Sequence, residues 1–162
     1  MATLKYSGGE EFADKILALG EQGEVIAKHA LFVGAGIVAD AIKNAITQLP
    51  TGTPKGNSPT GHPFTGLTED DKEDLLNGLG IARFESGRDE VSTAISFAGY
   101  TRRTEDDYPG GVPLAMIARS IESGSSVRTK NPFVRPTVSK IKGKAVSEMG
   151  KTASDDIKNA MR

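Results

Sequence analysis

Gly34-Ala35-Gly36-Ile37-Val38-Ala39 has the spacing G-x-G-x-x-A, with which a glycine-rich turn lets a backbone approach a pyrophosphate. That chemistry needs a preceding strand and an acid about 20 residues later to hold a ribose. No Asp or Glu lies between Asp40 and Glu69, and no alternation of strands and helices follows. The segment reads instead as a buried helix that another backbone approaches closely. Glu69-Asp70-Asp71-Lys72-Glu73-Asp74 gathers carboxylates, but a calcium loop spaces its ligands around a central glycine that is absent here. It reads as a charged helix start. Glu105-Asp106-Asp107 reads as a solvated acidic patch or a contact for a basic neighbour. His29 opens an apolar helical run and His62 lies among prolines and glycines, with no nucleophile motif beside either. Gly150-Lys151-Thr152 lacks the earlier glycine of a phosphate loop, because Ala145 stands there. There is no cysteine, which excludes disulfides and thiolate metal centres. No metal or cofactor is expected from these residues, and a hydrolase whose partners meet only in space stays open.

Charge is unevenly placed. Residues 67–110 carry 5 basic and 11 acidic groups, and residues 111–162 carry 10 basic and 4 acidic groups. The polarity either cancels when the halves pack or steers docking between copies. Arg119, Arg128, Lys130, Arg135, Lys140, Lys142 and Lys144 could contact phosphates. Only Phe133 interleaves with them as an aromatic, which is poor support for base stacking.

The stretch SGSSVRTKNPFVRP, residues 123–136, sets Phe133 between Pro132 and Pro136. Each proline fixes its own φ and pushes the preceding residue, Asn131 or Arg135, out of the helical region. An extended, stiff strap from Asn131 to Arg135 is expected. It would either display Phe133 beside Arg135 to a partner or anchor the strap on its own core.

The elements that position these residues follow from periodicity. Ser7 and Glu10 have capping-box spacing, Phe12, Ile16 and Leu19 recur helically, and Gly20 suits a stop. A second helix is expected over 21–48, ended by Pro50. Residues 50–66, with four prolines and four glycines, read as a flexible arm or binding loop that includes His62 and Phe64. Thr68 caps a third helix with Leu75, Leu76 and Leu79 on its apolar side. IARFES and VSTAISF, joined by Gly87-Arg88-Asp89-Glu90, alternate as a β-hairpin. Pro113 opens a fourth helix with Leu114, Ile117, Ala118 and Ile121 on one side, closed by Gly124. A last helix is expected from Pro136 or Thr137 to Met161. Lys140, Lys144 and Lys151 lie away from its apolar stripe.

The 162 residues hold 37% apolar and 25% charged side chains, as in one soluble globular domain. The most apolar run, Ala30 to Ala39, stops at Asp40 after ten residues, whereas a membrane span needs about 20. The amino-terminal MATLKYSGGEEF lacks the layout of a secretory signal, so a cytoplasmic site of synthesis is expected and no membrane partner.

IARSIESGSSVRTKNPFVRPTVSK resembles the signature of bacteriophage tail-completion, or head–tail joining, proteins. That signature is an Ala-rich helix, a Glu-x-Gly-Thr/Ser turn, Pro-Phe-hydrophobic-Arg-Pro and a long terminal helix. Here the turn is Glu122-Ser123-Gly124-Ser125, followed by Pro132-Phe133-Val134-Arg135-Pro136. FTGLTEDDKEDLLNGLGIARFE and FAGYTRR…YPGGVPLAMIARSIESG resemble a branch of the same family. The likeness runs from about Ala13 to the end. Ser125 and Thr137 replace its usual Thr and Ala. It implies a structural protein of the virion neck with no enzymatic activity, assembled in the host cytoplasm. Copies would form a ring, commonly sixfold, between the tail terminator and the head connector, with at most passing contact with DNA in the channel.

The expectation is therefore an α+β domain: long amino- and carboxyl-terminal helices and shorter ones packed around a small antiparallel sheet. Arg119, Glu122, Arg128, Lys130, Phe133, Arg135, His62 and Phe64 are its expected interface residues. The alternative is a cytoplasmic nucleic-acid-binding or regulatory module using the basic terminal helix.

Overall fold

A computed structural model describes residues 9–52, 67–87, 90–125 and 128–162. The fold is α+β. The helices are α1 (Gly9–Thr47), α2 (Glu69–Gly78), α3 (Leu114–Ser123) and α4 (Val134–Ala160). Four short strands, β1 (Leu79–Ile81), β2 (Glu85–Ser86), β3 (Val91–Ser92) and β4 (Ile95–Phe97), lie between α2 and α3. Ser7 of the expected capping box, and His62 and Phe64, lie outside the described residues.

The strands form one antiparallel hairpin with a break in its ladder. β1 pairs with β4, Leu79 opposite Phe97, and β2 pairs with β3, Glu85 opposite Ser92. Residues 82–84 on one side face 93–94 on the other, so one side carries an extra residue, as in a β-bulge. The Ala82 N–H donates to the Ala94 carbonyl, and the Thr93 hydroxyl donates to the Ala82 carbonyl. A hydroxyl thus takes up an acceptor that the broken ladder would leave unmet.

One correction concerns α1. Gly20 does not stop it: the helix runs through Gly20 and Gly23 in a single 39-residue element. A glycine stop uses positive φ, and among the described residues only Gly99, Gly111 and Gly124 have it. A second correction concerns the strap. α4 starts at Val134, and Arg135 is helical despite the proline after it. Pro136 falls in the first turn, where a missing N–H breaks no helical bond.

The core forms where α1's carboxyl-terminal half, α2, the hairpin and α3 meet. Ile42, Ile46 and Leu49 meet Leu75 and Leu79, with Leu114, Ile117 and Ile121 from α3. Leu67 closes this core beside a clamp. The Gly52 N–H donates to the Leu67 carbonyl, and the Leu67 N–H donates to the Pro50 carbonyl. The loop therefore leaves and re-enters the fold at one point. The Thr68 hydroxyl accepts the Asp71 N–H at 3.0 Å, the expected cap of α2.

α1 and α4 pack antiparallel, His29 opposite Asp156 and Gly34 opposite Met149. A Cβ on Gly34 would lie 2.4 Å from the Met149 sulfur, so this glycine permits the approach that its sequence suggested. Gly36 faces open space. Gly36→Ala is expected to stabilise the chain by about 1 kcal/mol through helix propensity. Gly34→Ala gains nothing, because Met149 must move. Thermal denaturation of the two variants side by side checks this.

Gly111 has φ +97°, and a Cβ there would sit 2.2 Å from the Thr101 carbonyl oxygen. Close approach is needed because the Thr101 N–H donates to the Val112 carbonyl and the Val112 N–H donates to the Thr101 hydroxyl. Gly111→Ala is expected to cost about 2–3 kcal/mol, from left-handed backbone and a displaced Thr101 together. Chemical denaturation reads it as an earlier midpoint.

Candidate interaction surface

The strap is an internal anchor. Phe133 is 4% exposed, with its ring edge-on to Phe97 at 6.2 Å between centroids. Glu122, at the end of α3, turns its carboxylate onto the start of α4. It accepts the N–H groups of Phe133 at 2.8 Å, Val134 at 2.9 Å and Arg135 at 3.1 Å. The first amides of a helix have no partner within it, and their dipole favours an anion. One carboxylate from another helix therefore does the work of a side-chain cap, which α4 does not have at Phe133. Burial pushes the Glu122 carboxyl up, but the three N–H donors and the Arg135 guanidinium outweigh it, leaving the carboxyl below the usual glutamate range. The Asn131 N–H donates to the Ile121 carbonyl and ties the strap's middle to α3.

Three expected interface residues are thus inside the fold: Glu122, Phe133 and Arg128, the last 7% exposed. Phe133 went inward because the hairpin face beside Phe97 offers it apolar contact, which a solvated display would forgo. Glu122 went inward because it meets three amide donors. Arg119, Lys130 and Arg135 are exposed. Arg135 keeps its Nε 3.7 Å from Glu122. The structure therefore brings Glu122, Phe133 and Arg135 together as a joint between α3 and α4.

An ionic network ties α2 to the loop after β4. Arg102 Nε donates to Asp74 at 2.7 Å and Arg102 Nη2 to Glu73 at 2.6 Å; the Arg102 N–H also donates to Asp74. Arg103 Nε donates to Asp71 at 2.8 Å and its Nη1 to Glu105. Asp71 is 1% exposed. The Arg128 guanidinium donates to the Ser120 hydroxyl at 3.0 Å. Burial lowers its pKa, Asp71 and Glu105 oppose that effect, and Arg103 adds to it. From sequence, the run containing Asp71 and Asp74 reads as a charged helix start, which leaves their burial open. The available signal was their spacing of three, next to Leu75, which puts both on the inner side of α2. Asp71, Glu73, Asp74 and Glu105 thus pair with Arg102 and Arg103 of their own chain.

Large apolar side chains also stand on the surface. Ile16, Leu17, Val25 and Phe32 of α1 and Val146 and Ile157 of α4 are all exposed. Between the two helices and the hairpin runs an open groove of about 260 Å³, lined by Leu31, Gly34, Ala35 and Val38, by Thr93 and Ile95, and by Val138, Ala145, Val146 and Met149. Lys142 stands at its edge. The segment Lys15–Thr47 is long and apolar enough to cross a membrane by length and composition, beyond the ten-residue run read from sequence. Yet Ala30, Ala39, Ile42 and Ile46 within it are buried in the protein. The outer side of α4 carries Lys140, Lys144, Lys151 and Lys158, all exposed. Lys151 pairs with Glu148 and Lys158 with Asp155. An arrangement of this kind can bury apolar surface against another protein; among the described residues it gathers no acid, base and nucleophile into one cleft. No family model, curated protein or solved structure matches this chain.

Proposed function

We propose that this chain is a structural subunit of the virion neck, which completes the tail end and joins it to the head as part of a ring. The resemblance of the 117–140 segment and its flanks to head–tail joining proteins supports the neck assignment. The observation that carries association is the exposed apolar stripe of α1, with Leu17 68%, Val25 67% and Phe32 56% exposed. Exposed large side chains concentrated on one helix mark an interaction site. The ring is taken as sixfold, as the resemblance implies, with the tail terminator and the head connector as neighbours. Its chemistry is association, with no bond made or broken.

Electron microscopy of particles made when the gene is disrupted, with and without complementation, tests the reading. Separate DNA-filled heads and unjoined tails, rescued by the intact gene, are expected. Fully joined particles without the gene would overturn it.

A second reading, nucleic-acid binding, is favoured by the lysine row on α4. It requires DNA affinity that falls steeply with salt. Under the assembly reading, filter binding at low and high salt gives weak retention at both.

A further inference from the structure

α1 meets α4 at Gly34, against Met149, and meets the hairpin at Glu24, whose carboxylate accepts the Ser86 hydroxyl. At 3.6 residues per turn, Gly34 lies about 160° round the helix from Phe32, and Glu24 about 80°. A third face remains. Glu21, Val25, Phe32, Gly36 and Lys43 follow one another at spacings of four, seven, four and seven. That keeps them within a sector of about 60°. Glu21 and Lys43 are exposed, as are Val25 at 67% and Phe32 at 56%. A Cβ placed on Gly36 would meet nothing within 4 Å. Neither Glu21 nor Lys43 has an ion-pair partner among the described residues. α4 approaches this face at its carboxyl end, where Asp156 holds His29 and Ala160 reaches the cleft beside Val25.

The face is its own complement. Glu21 and Lys43 each stand eleven residues from Phe32, one acidic and one basic. Two such helices laid antiparallel, Phe32 beside Phe32, bring Glu21 of each copy level with Lys43 of the other. Side chains on a helix lean toward its amino terminus. Phe32 therefore leans away from its own Gly36 and toward the other copy's Gly36, where no side chain stands in the way. A glycine inside a helix weakens it, and nothing within one chain packs close enough to Gly36 to need one. Asp40 and Glu24 also come level. They stand about 80° to opposite sides of the face, and Glu24 is already turned to Lys28 and Ser86.

We propose that two copies of this chain pair antiparallel through this face of α1. Phe32 sits at the twofold axis, and two Glu21–Lys43 ion pairs close the ends. Both copies use the same surface, so the contact is isologous and stops at two. It goes beyond the assembly reading, since it describes the chain outside any ring.

The chain contains no cysteine, which permits a clean test. The single variants Glu21→Cys and Lys43→Cys, distinguished by mass tags, are mixed and treated with a short bis-maleimide. Within one helix these positions are about 33 Å apart, and in the antiparallel pair so are the two copies of either one. A link between 21 and 43 therefore reports two copies. The expected result is a mixed 21–43 product exceeding the 21–21 and 43–43 products. In parallel, sedimentation of the unaltered chain should show a monomer–dimer equilibrium. Phe32→Glu and Glu21→Lys should each weaken it by roughly tenfold or more, because the axis makes every substitution act twice, with circular dichroism unchanged. Combining Glu21→Lys with Lys43→Glu should restore the dimer, which a damaged fold would not do. Dominant 21–21 or 43–43 links, a double reversal that recovers no dimer, or a monomer at every concentration would overturn the pairing. So would a monomer that floats with phosphatidylcholine vesicles, which would give the face to lipid. Joined particles after disruption of the gene would remove the neck role and leave the pair standing.

Discussion

Glu122→Ala is expected to lower stability by about 3–5 kcal/mol, a large share of what a domain this size has. The loss follows from one carboxylate serving three amides. A hydrogen bond to a charged group contributes about 1.5–3 kcal/mol, and a buried amide left without a partner costs about 1–3 kcal/mol. Water reaches part of the opened site, which keeps the total below the simple sum. For a chain of this length the midpoint should fall by about 10 °C. Glu122→Gln should lose less, since one amide oxygen still accepts. The pH dependence has a definite sign. The folded-state pKa of Glu122 is depressed, so its contribution is complete above the unfolded-state value and is lost as pH falls through the folded one. The gap between wild type and Glu122→Gln should be constant near neutrality and shrink below the usual glutamate range. Urea unfolding at several pH values measures both. A variant as stable as wild type at pH 7 would show that α4 does not depend on this cap.

Asp71→Ala is the second large loss, also about 3–5 kcal/mol, because removing one partner of a buried pair leaves the other charge uncompensated. Asp71 is inaccessible, Arg103 binds it at 2.8 Å, and Arg128 feels its charge. Without it two guanidinium groups repel each other beside a core helix. Arg103→Ala removes one of them, so the double variant should cost less than the two single losses added. Strict additivity in that cycle would show that the two side chains do not act as a unit. The network holds the loop after β4 against α2. Asp71→Ala should therefore show first as a lower soluble yield of the chain.

The exposed face argues for a different class of variant. Substitutions at Ile16, Leu17, Val25 or Phe32 touch little within the chain, so they should leave thermal unfolding of the monomer nearly unchanged. Under the proposed assembly reading, their effect falls on association.

Much of the architecture was legible in residue order. The Thr68 cap of α2, the Gly124 end of α3, the apolar positions 75-76 and 114-117-118-121, the hairpin and the α+β class all follow from periods, glycines and prolines, which act on neighbours in the chain; Leu79, expected on the helix, instead opens β1. The end of the first helix was not legible. Gly20 reads as a stop, but a glycine also fits inside a helix at about 1 kcal/mol, and only the path of the chain decides between the two. The bulge at 82–84 was hidden because alternation does not count the residues across the ladder.

The strap shows the division most directly. Two prolines around Phe133 prescribed a stiff connector with an aromatic at its centre, and left open whether that ring faced a partner or its own core. Only the packed structure placed Phe97 edge-on to it and brought Glu122 over the amides that follow. The same holds for Asp71 and Asp74: their charge is written in the sequence, but the arginines that neutralise them are about 30 residues away, and burial depends on which element lies opposite. Local backbone preference is a property of adjacent residues. Burial, charge pairing and the inside or outside of an aromatic ring are properties of distant residues brought together.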